Sequence, residues 1–178
     1  IRCDWDRCLD ELRDGRIESA LDAETISQTL MDGHLPLPMV SWKLPQQLEC
    51  TVEALTDGQT GDACTLVRYR LNNEGQTAAT GRFALVIRPL QINPKWQHGG
   101  LSLIRDLALS TQDGLSEIIV NGVTNWLVAA RAEAVRVSAF NHGDVVRNLE
   151  KDLPGPTVMQ DEEGLLSGAL LFDFNLPP

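Results

Sequence analysis

Residues 67–100 read VRYRLNNEGQTAATGRFALVIRPLQINPKWQHGG, and this stretch decides the fold class. In Thr65–Leu71 the apolar side chains of Val67, Tyr69 and Leu71 alternate with Arg68 and Arg70. In Arg82–Arg88 the side chains of Phe83, Leu85 and Ile87 alternate in the same way. A period of two places one face of each run on a core and the other in water, the signature of an antiparallel sheet. Between them Asn72–Thr80 is rich in turn formers, so the two runs are expected to pair as one long hairpin. The stretch ends in Asn93-Pro94-Lys95-Trp96, a loop closed by paired glycines.

Working outward, the same alternation returns. Leu48, Cys50, Val52 and Ala54 stand against Glu49, Thr51, Glu53 and Leu55. Ile104–Leu109, Glu117–Val120, Trp126–Ala129 and Ala134–Ser138 are short strand-like runs, broken by Asp113-Gly114, Asn121-Gly122 and Arg131-Ala132. Asn-Gly is a strong two-residue hairpin signal, because both central positions of the favoured turn need a positive φ. Thr25–Leu30 and Arg16–Leu21 are further short runs, and Leu165–Leu176 closes the chain with a last strand. Gly33–Pro45 carries prolines at 36, 38 and 45, which exclude helix and predict an extended edge or connector, with Trp42 capping a core there. Asp4–Arg13 has helical spacing, and Asp144 is placed to cap a short helix running to Glu150. Lys151–Gly164, rich in proline, glycine and acid, reads as a mobile surface loop. The count comes to about nine to eleven strands with one or two short helices, turn signals recurring every ~8–12 residues. The expected fold is a mainly β, antiparallel β-sandwich.

The totals bound the rest. A length of 178 residues sets the expectation of one domain spanning 1–178. A formal charge of −10 argues against phosphate backbones and anionic membrane surfaces, whose binding is driven by Lys and Arg, so no nucleic-acid partner is expected. No apolar run approaches the roughly 18–20 residues that span a bilayer, so no membrane insertion is expected. The chain begins Ile1-Arg2-Cys3-Asp4, with neither an initiator Met nor the apolar stretch of a signal peptide, which favours a piece of a longer polypeptide.

Four cysteines (Cys3, Cys8, Cys50, Cys64) do not make a disulfide scaffold, and Cys50 and Cys64 read as small core residues. Cys3 and Cys8 lack a second ligand pair, and His34, His98 and His142 are scattered singly, so no metal site and no cofactor are expected. No catalytic residue is assigned. Asp161-Glu162-Glu163 is a solvated cluster, Asp106 beside Arg105 a surface or cross-strand group, and no nucleophile elbow, phosphate loop or dinucleotide fingerprint occurs. The candidate ligand-binding residues are Asn93, Trp96 and His98. An exposed indole can lie under the apolar face of a sugar ring while amide and imidazole groups reach its hydroxyls. The competing reading has Trp96 plugging the end of the sandwich.

Four blocks carry a resemblance: Gly33–Trp42, Val67–Gly75, Ala84–Gln97 and Phe140–Val146. In order and wording they resemble the β-sandwich segment of large bacterial discoidin-domain proteins. In those proteins a six-hairpin α-toroid, similar to glycogen-debranching enzymes and glucoamylases, follows the sandwich. The likeness covers roughly Gly15 to Pro178, and the chain departs from it after Trp96, where Gln97–Gly100 is shorter than the pattern. The resemblance implies a supersandwich-like fold and a non-catalytic domain of a bacterial carbohydrate-active, glycosidase-like protein. Its partner would be the adjacent toroid of the parent chain, which carries the catalytic carboxylates. The alternative is an autonomous carbohydrate-binding module whose Trp96 loop takes a glycan.

Overall fold

The structure, a computed structural model, describes residues 25–44, 47–59, 61–90, 94–97, 99–143, 145–149 and 155–178. The expected helix at Asp4–Arg13, the run Arg16–Leu21 and both Cys3 and Cys8 lie outside them. Among the described residues the chain is mainly β. It has eleven strands in antiparallel sheets, and its helical elements are short 3-10 turns. It divides into two compact units, one ending at Thr80 and taking in Asn175–Pro178, the other running from Gly81 to Phe174.

The first unit holds a four-stranded sheet ordered β1 (Thr25–Leu30), β2 (Pro38–Leu44), β3 (Leu48–Asp57), β4 (Cys64–Asn73). Its register aligns Ile26, Trp42, Cys50 and Leu71 in one cross-strand row, and Gln28, Val40, Val52 and Tyr69 in the next. Residues opposite one another share a face, so the alternation read from each strand merges into one apolar face. The other face carries Lys43, Glu49, Glu53, Arg68 and Arg70, with Arg68 paired to Glu53 and Ser41 bonded to Thr51 at 3.1 Å.

Three expectations change here. The Thr65–Leu71 run pairs with β3 and not with Arg82–Arg88, which belongs to β5 (Ala79–Ile87) in a different sheet. The turn chemistry at residues 72–78 closes no hairpin. The Asn73 carboxamide bonds instead to the carbonyls of Thr77 (2.8 Å) and Pro177 (2.9 Å), tying the connection to the chain's last residues. Secondly, the proline-rich segment yields an interior strand, because Pro38 opens β2 and Pro45 follows it, leaving every ladder N–H from Met39 to Leu44 intact. Thirdly, Cys50 is buried but Cys64 is exposed, opposite Asp57 at the turn end of the β3–β4 hairpin.

The second unit is layered. One sheet is ordered β10 (Val158–Gln160), β6 (Asp106–Gln112), β7 (Leu115–Val120), β8 (Thr124–Val128). The other is ordered β5, β11 (Ser167–Leu176), β9 (Ala134–Ser138). Leu107, Leu109 and Ile118 of the first meet Val137 and Leu170 of the second, with Ile104 and Leu166, in a core whose members are at most 7% exposed. That is the sandwich arrangement read from the spacing. A second apolar cluster lies on the opposite face of β11, where Ala169 and Leu171 meet Val145 and Val146 of the 3-10 turn Val145–Asn148. This turn replaces the short helix expected through Glu150. Ser167–Leu171 is therefore buried on both faces, an unbroken buried run of the kind seen in covered sheets. Within the supposed loop 151–164, Val158–Gln160 forms β10 and pairs with Ala108–Asp106.

Both turn signals fall at turns. Asp113 (φ 51°) and Gly114 (φ 80°) join β6 to β7 in two residues. Asn121 (φ 52°) and Gly122 (φ 65°) begin the turn between β7 and β8, which takes in Val123 as well and so has three residues where Asn-Gly predicts two. The Asn121 carboxamide accepts from the N–H groups of Arg105 (2.8 Å) and Asp106 (3.1 Å) and donates to the Leu103 carbonyl (2.9 Å).

Candidate functional site

The segment after β5 leaves the sheet at Arg88 and comes back on itself at Ser102, whose N–H donates to the Leu90 carbonyl at 3.1 Å. That bond closes the neck of a loop. At its tip Pro94 fixes a 3-10 turn, Lys95–Gln97, and the Pro94 carbonyl accepts from the N–H groups of Gln97 (2.9 Å) and Gly99 (3.1 Å). Trp96 stands on this turn with 78% of its surface exposed. The ring does not plug the sandwich. Asn93 and His98 lie outside the described residues, so the three candidate ligands are represented here by Trp96.

Beside the neck is a shallow cleft of about 140 Å³, lined by Arg88, Pro89, Leu101, Phe140, Leu165 and Ser167. Arg88 and Pro89 enter the loop, Leu101 leaves it, and Phe140, 51% exposed, begins a 3-10 turn just after β9. Ser167 is held from beneath: its hydroxyl accepts from the Val145 N–H (3.0 Å) and donates to the Ser138 carbonyl (3.3 Å). The Ser138 hydroxyl in turn donates to the Gly143 carbonyl at 2.5 Å and accepts from the Asn148 amide at 3.3 Å. This buried serine pair locks the turn carrying Phe140 to β11. The cleft therefore joins an aromatic face, aliphatic walls and an arginine, a combination suited to holding a ring-shaped solute.

Among the described residues the lining holds no carboxylate, and the acid pair that glycoside hydrolysis requires is not gathered from them there. Elsewhere several of the described carboxylates are engaged in structure. Asp161 accepts from the Leu165 N–H (2.8 Å), Asp106 from the Gln160 amide (2.6 Å), and Glu133 from the Asp173 N–H (3.0 Å). The Asp173 carboxyl is held below its ordinary value, first by the hydrogen bond from Arg82 and, with burial opposing, by that residue's charge. Burial pushes the Cys50 thiol up, and the charge of Glu49 adds to the shift. Among the described residues no group of three or more His, Cys, Asp or Glu is placed to hold a metal, and no helix is long and apolar enough to cross a membrane.

Arg88, Leu101, Phe140, Leu165 and Ser167 were not singled out by sequence reasoning as ligand contacts. They come from four separate stretches brought together by β5, β9 and β11, and none shares a local motif. The one local hint is the aromatic at Phe140 directly after a strand that ends in small residues. Comparison with protein-family models, with curated proteins and with solved structures finds no match to this chain.

Proposed function

We propose that this chain is a non-catalytic β-domain of a bacterial carbohydrate-active protein, packed against an adjacent α-toroid that carries the chemistry. The observation that carries the reading is the apolar face of the first unit's sheet. There Ile26 (53% exposed), Leu30 (42%), Val67 (47%) and Tyr69 (44%) surround the half-buried Trp42, Val40, Val52 and Leu71. Contiguous exposed apolar surface on a folded protein marks a contact with another body. The test is to blot source-cell lysate with an antibody against this chain. A polypeptide far larger than 19.6 kDa is expected, and a band at 19.6 kDa refutes the scaffold.

A second reading is favoured by the Trp96 loop: carbohydrate binding by the isolated chain, the indole serving as a stacking platform. Trp96→Ala then abolishes glycan retention on an affinity gel while leaving the unfolding midpoint unchanged, since a ring this exposed contributes within about 0.5 kcal/mol to stability. Equal retention of wild type and variant overturns it.

A further inference from the structure

Arg136 stands in the middle of β9, on the face it shares with Ala134 and Ser138, and directly opposite Ala169 of β11. That face belongs to the second apolar cluster, with Ala169, Leu171 and Val145. The residue is only 7% exposed, and its Nε is fully buried with no hydrogen-bond partner among the described residues. Over its stem passes the segment 155–157, anchored where the Val137 N–H donates to the Pro156 carbonyl at 2.9 Å. Gly155 lies so close that a Cβ there would touch Arg136 Cγ at 3.4 Å.

A buried side-chain donor without a partner is rare, and a buried cation is ordinarily paired. The other cations with a described partner have theirs: Arg68 with Glu53, Arg82 with Asp173, Lys43 with Glu74. Among the described carboxylates, Asp106 is committed to Gln160, Asp161 to the Leu165 N–H and Glu133 to the Asp173 N–H. A planar guanidinium offers two parallel N–H donors, which match the paired oxygens of a carboxylate or phosphate.

We propose that Arg136 is the receptor of a site for a small oxyanion, a phosphate or a carboxylate, held at its guanidinium on the face of β9 that belongs to the second apolar cluster. The site is separate from the Trp96 loop, and it does not depend on the reading of the chain as a carbohydrate-active domain. Occupancy neutralises the buried cation, so binding of the anion is linked to the stability of the second unit.

The experiment follows thermal unfolding of the wild-type chain, Arg136→Met and Arg136→Lys in inorganic phosphate, in acetate and in chloride, at one ionic strength and one pH. The wild-type midpoint is expected to rise in phosphate or acetate over chloride by at least about 2 °C, with saturation. Arg136→Met is expected to show no such difference. Arg136→Lys, which keeps charge but loses the planar fork, is expected to respond less than wild type. A parallel response in all three proteins overturns the proposal, and so does a wild type indifferent to both anions. If Arg136→Met does not fold, the ³¹P line width of phosphate decides. Saturable broadening by wild type, weakened by Arg136→Lys, supports the site, and no broadening overturns it.

Discussion

Gly168→Ala is the sharpest test of how the two sheets of the second unit meet. Gly168 lies on β11 opposite Val137 and shares the inner face with Leu170. A Cβ built there stands 2.8 Å from Leu107 Cδ2 and 3.2 Å from Leu109 Cδ1. Carbon atoms at rest sit about 3.5–4.0 Å apart, so both leucines must give way. Neither has room, because Leu107 is 1% and Leu109 2% exposed. The favourable side is small. Burying one more methyl contributes about 0.8 kcal/mol, and restricting the unfolded chain about 0.4–1 kcal/mol. Forcing a methyl into a well-packed interior typically destabilises by about 1–3 kcal/mol net of such gains. The expected outcome is a loss of about 1–3 kcal/mol, read as a lower urea midpoint at constant slope by circular dichroism. The transition belonging to this unit is identified with Leu170→Ala, which removes a side chain at 0% exposure and is expected to cost about 2–5 kcal/mol. Gly155→Ala supplies the opposite sign. Its Cβ meets Arg136 at 3.4–3.8 Å, ordinary contact, so it is expected to be neutral or stabilising by up to about 1 kcal/mol. If Gly168→Ala is as stable as wild type, or if the two glycine variants behave alike, the close approach of β11 to β6 is refuted.

Asn121→Ala removes three hydrogen bonds to residues 103–106 and leaves at φ 52° a residue that tolerates the left-handed region less well than asparagine, so a loss of about 1–2 kcal/mol is expected in the same urea assay. Asn121→Gly, which loses the same three bonds but is at ease at positive φ, should lose less than Asn121→Ala, and equal losses refute the backbone part of the reasoning. In native protein at pH 8, iodoacetamide followed by peptide mapping should label the exposed Cys64 rapidly and Cys50 only on unfolding. Equal labelling of the two refutes the β3–β4 pairing. The native Asp173 carboxyl titrates below its ordinary 3.8. Between its native and unfolded values the unfolded chain binds more protons, so the Arg82 pair contributes stability above the unfolded value and loses it as pH falls through the native one. Arg82→Gln should move the Asp173 midpoint, followed by carboxyl ¹³C shifts, upward toward 3.8, and an unmoved midpoint refutes the pair.

Strand identity was legible because a period of two survives in a single chain. The faces assigned to Leu48–Leu55 and Thr65–Leu71 are the faces observed. Short turns were legible for a related reason: Asp113-Gly114 and Asn121-Gly122 need positive φ, and few residues supply it. Burial on both sides was not legible in Ser167–Leu171. Alternation fails there because the second layer, Val145–Asn148, comes from a remote turn. The cleft was equally hidden, since its lining is assembled by sheet order, which no local pattern encodes.

Partner choice is where local reasoning failed most instructively. β4 was expected to pair forward with β5 across nine turn-rich residues, yet it pairs backward with β3. Both connections contain glycine and polar residues, so turn composition does not separate them. Length of match does. β3 and β4 pair in register over ten positions, Leu48 with Asn73 through Asp57 with Cys64, and the eight rows between these two ends join like with like. Cys50 meets Leu71, Val52 meets Tyr69 and Ala54 meets Val67 on the apolar side, while Glu53 meets Arg68 on the other. Cross-strand pairs of this kind each contribute roughly 0.2–1 kcal/mol, so a ten-row register outweighs a favourable turn. β5 (ATGRFALVI) has Gly81 where a side chain would strike Phe174 at 2.7 Å, which suits it to lie beside β11. Reversing the charges of one row tests the argument in a double-mutant cycle. Glu53→Arg and Arg68→Glu should each destabilise, and the double variant should recover most of the loss. Strictly additive losses would mean that Glu53 and Arg68 do not face each other, and the register would fall with them.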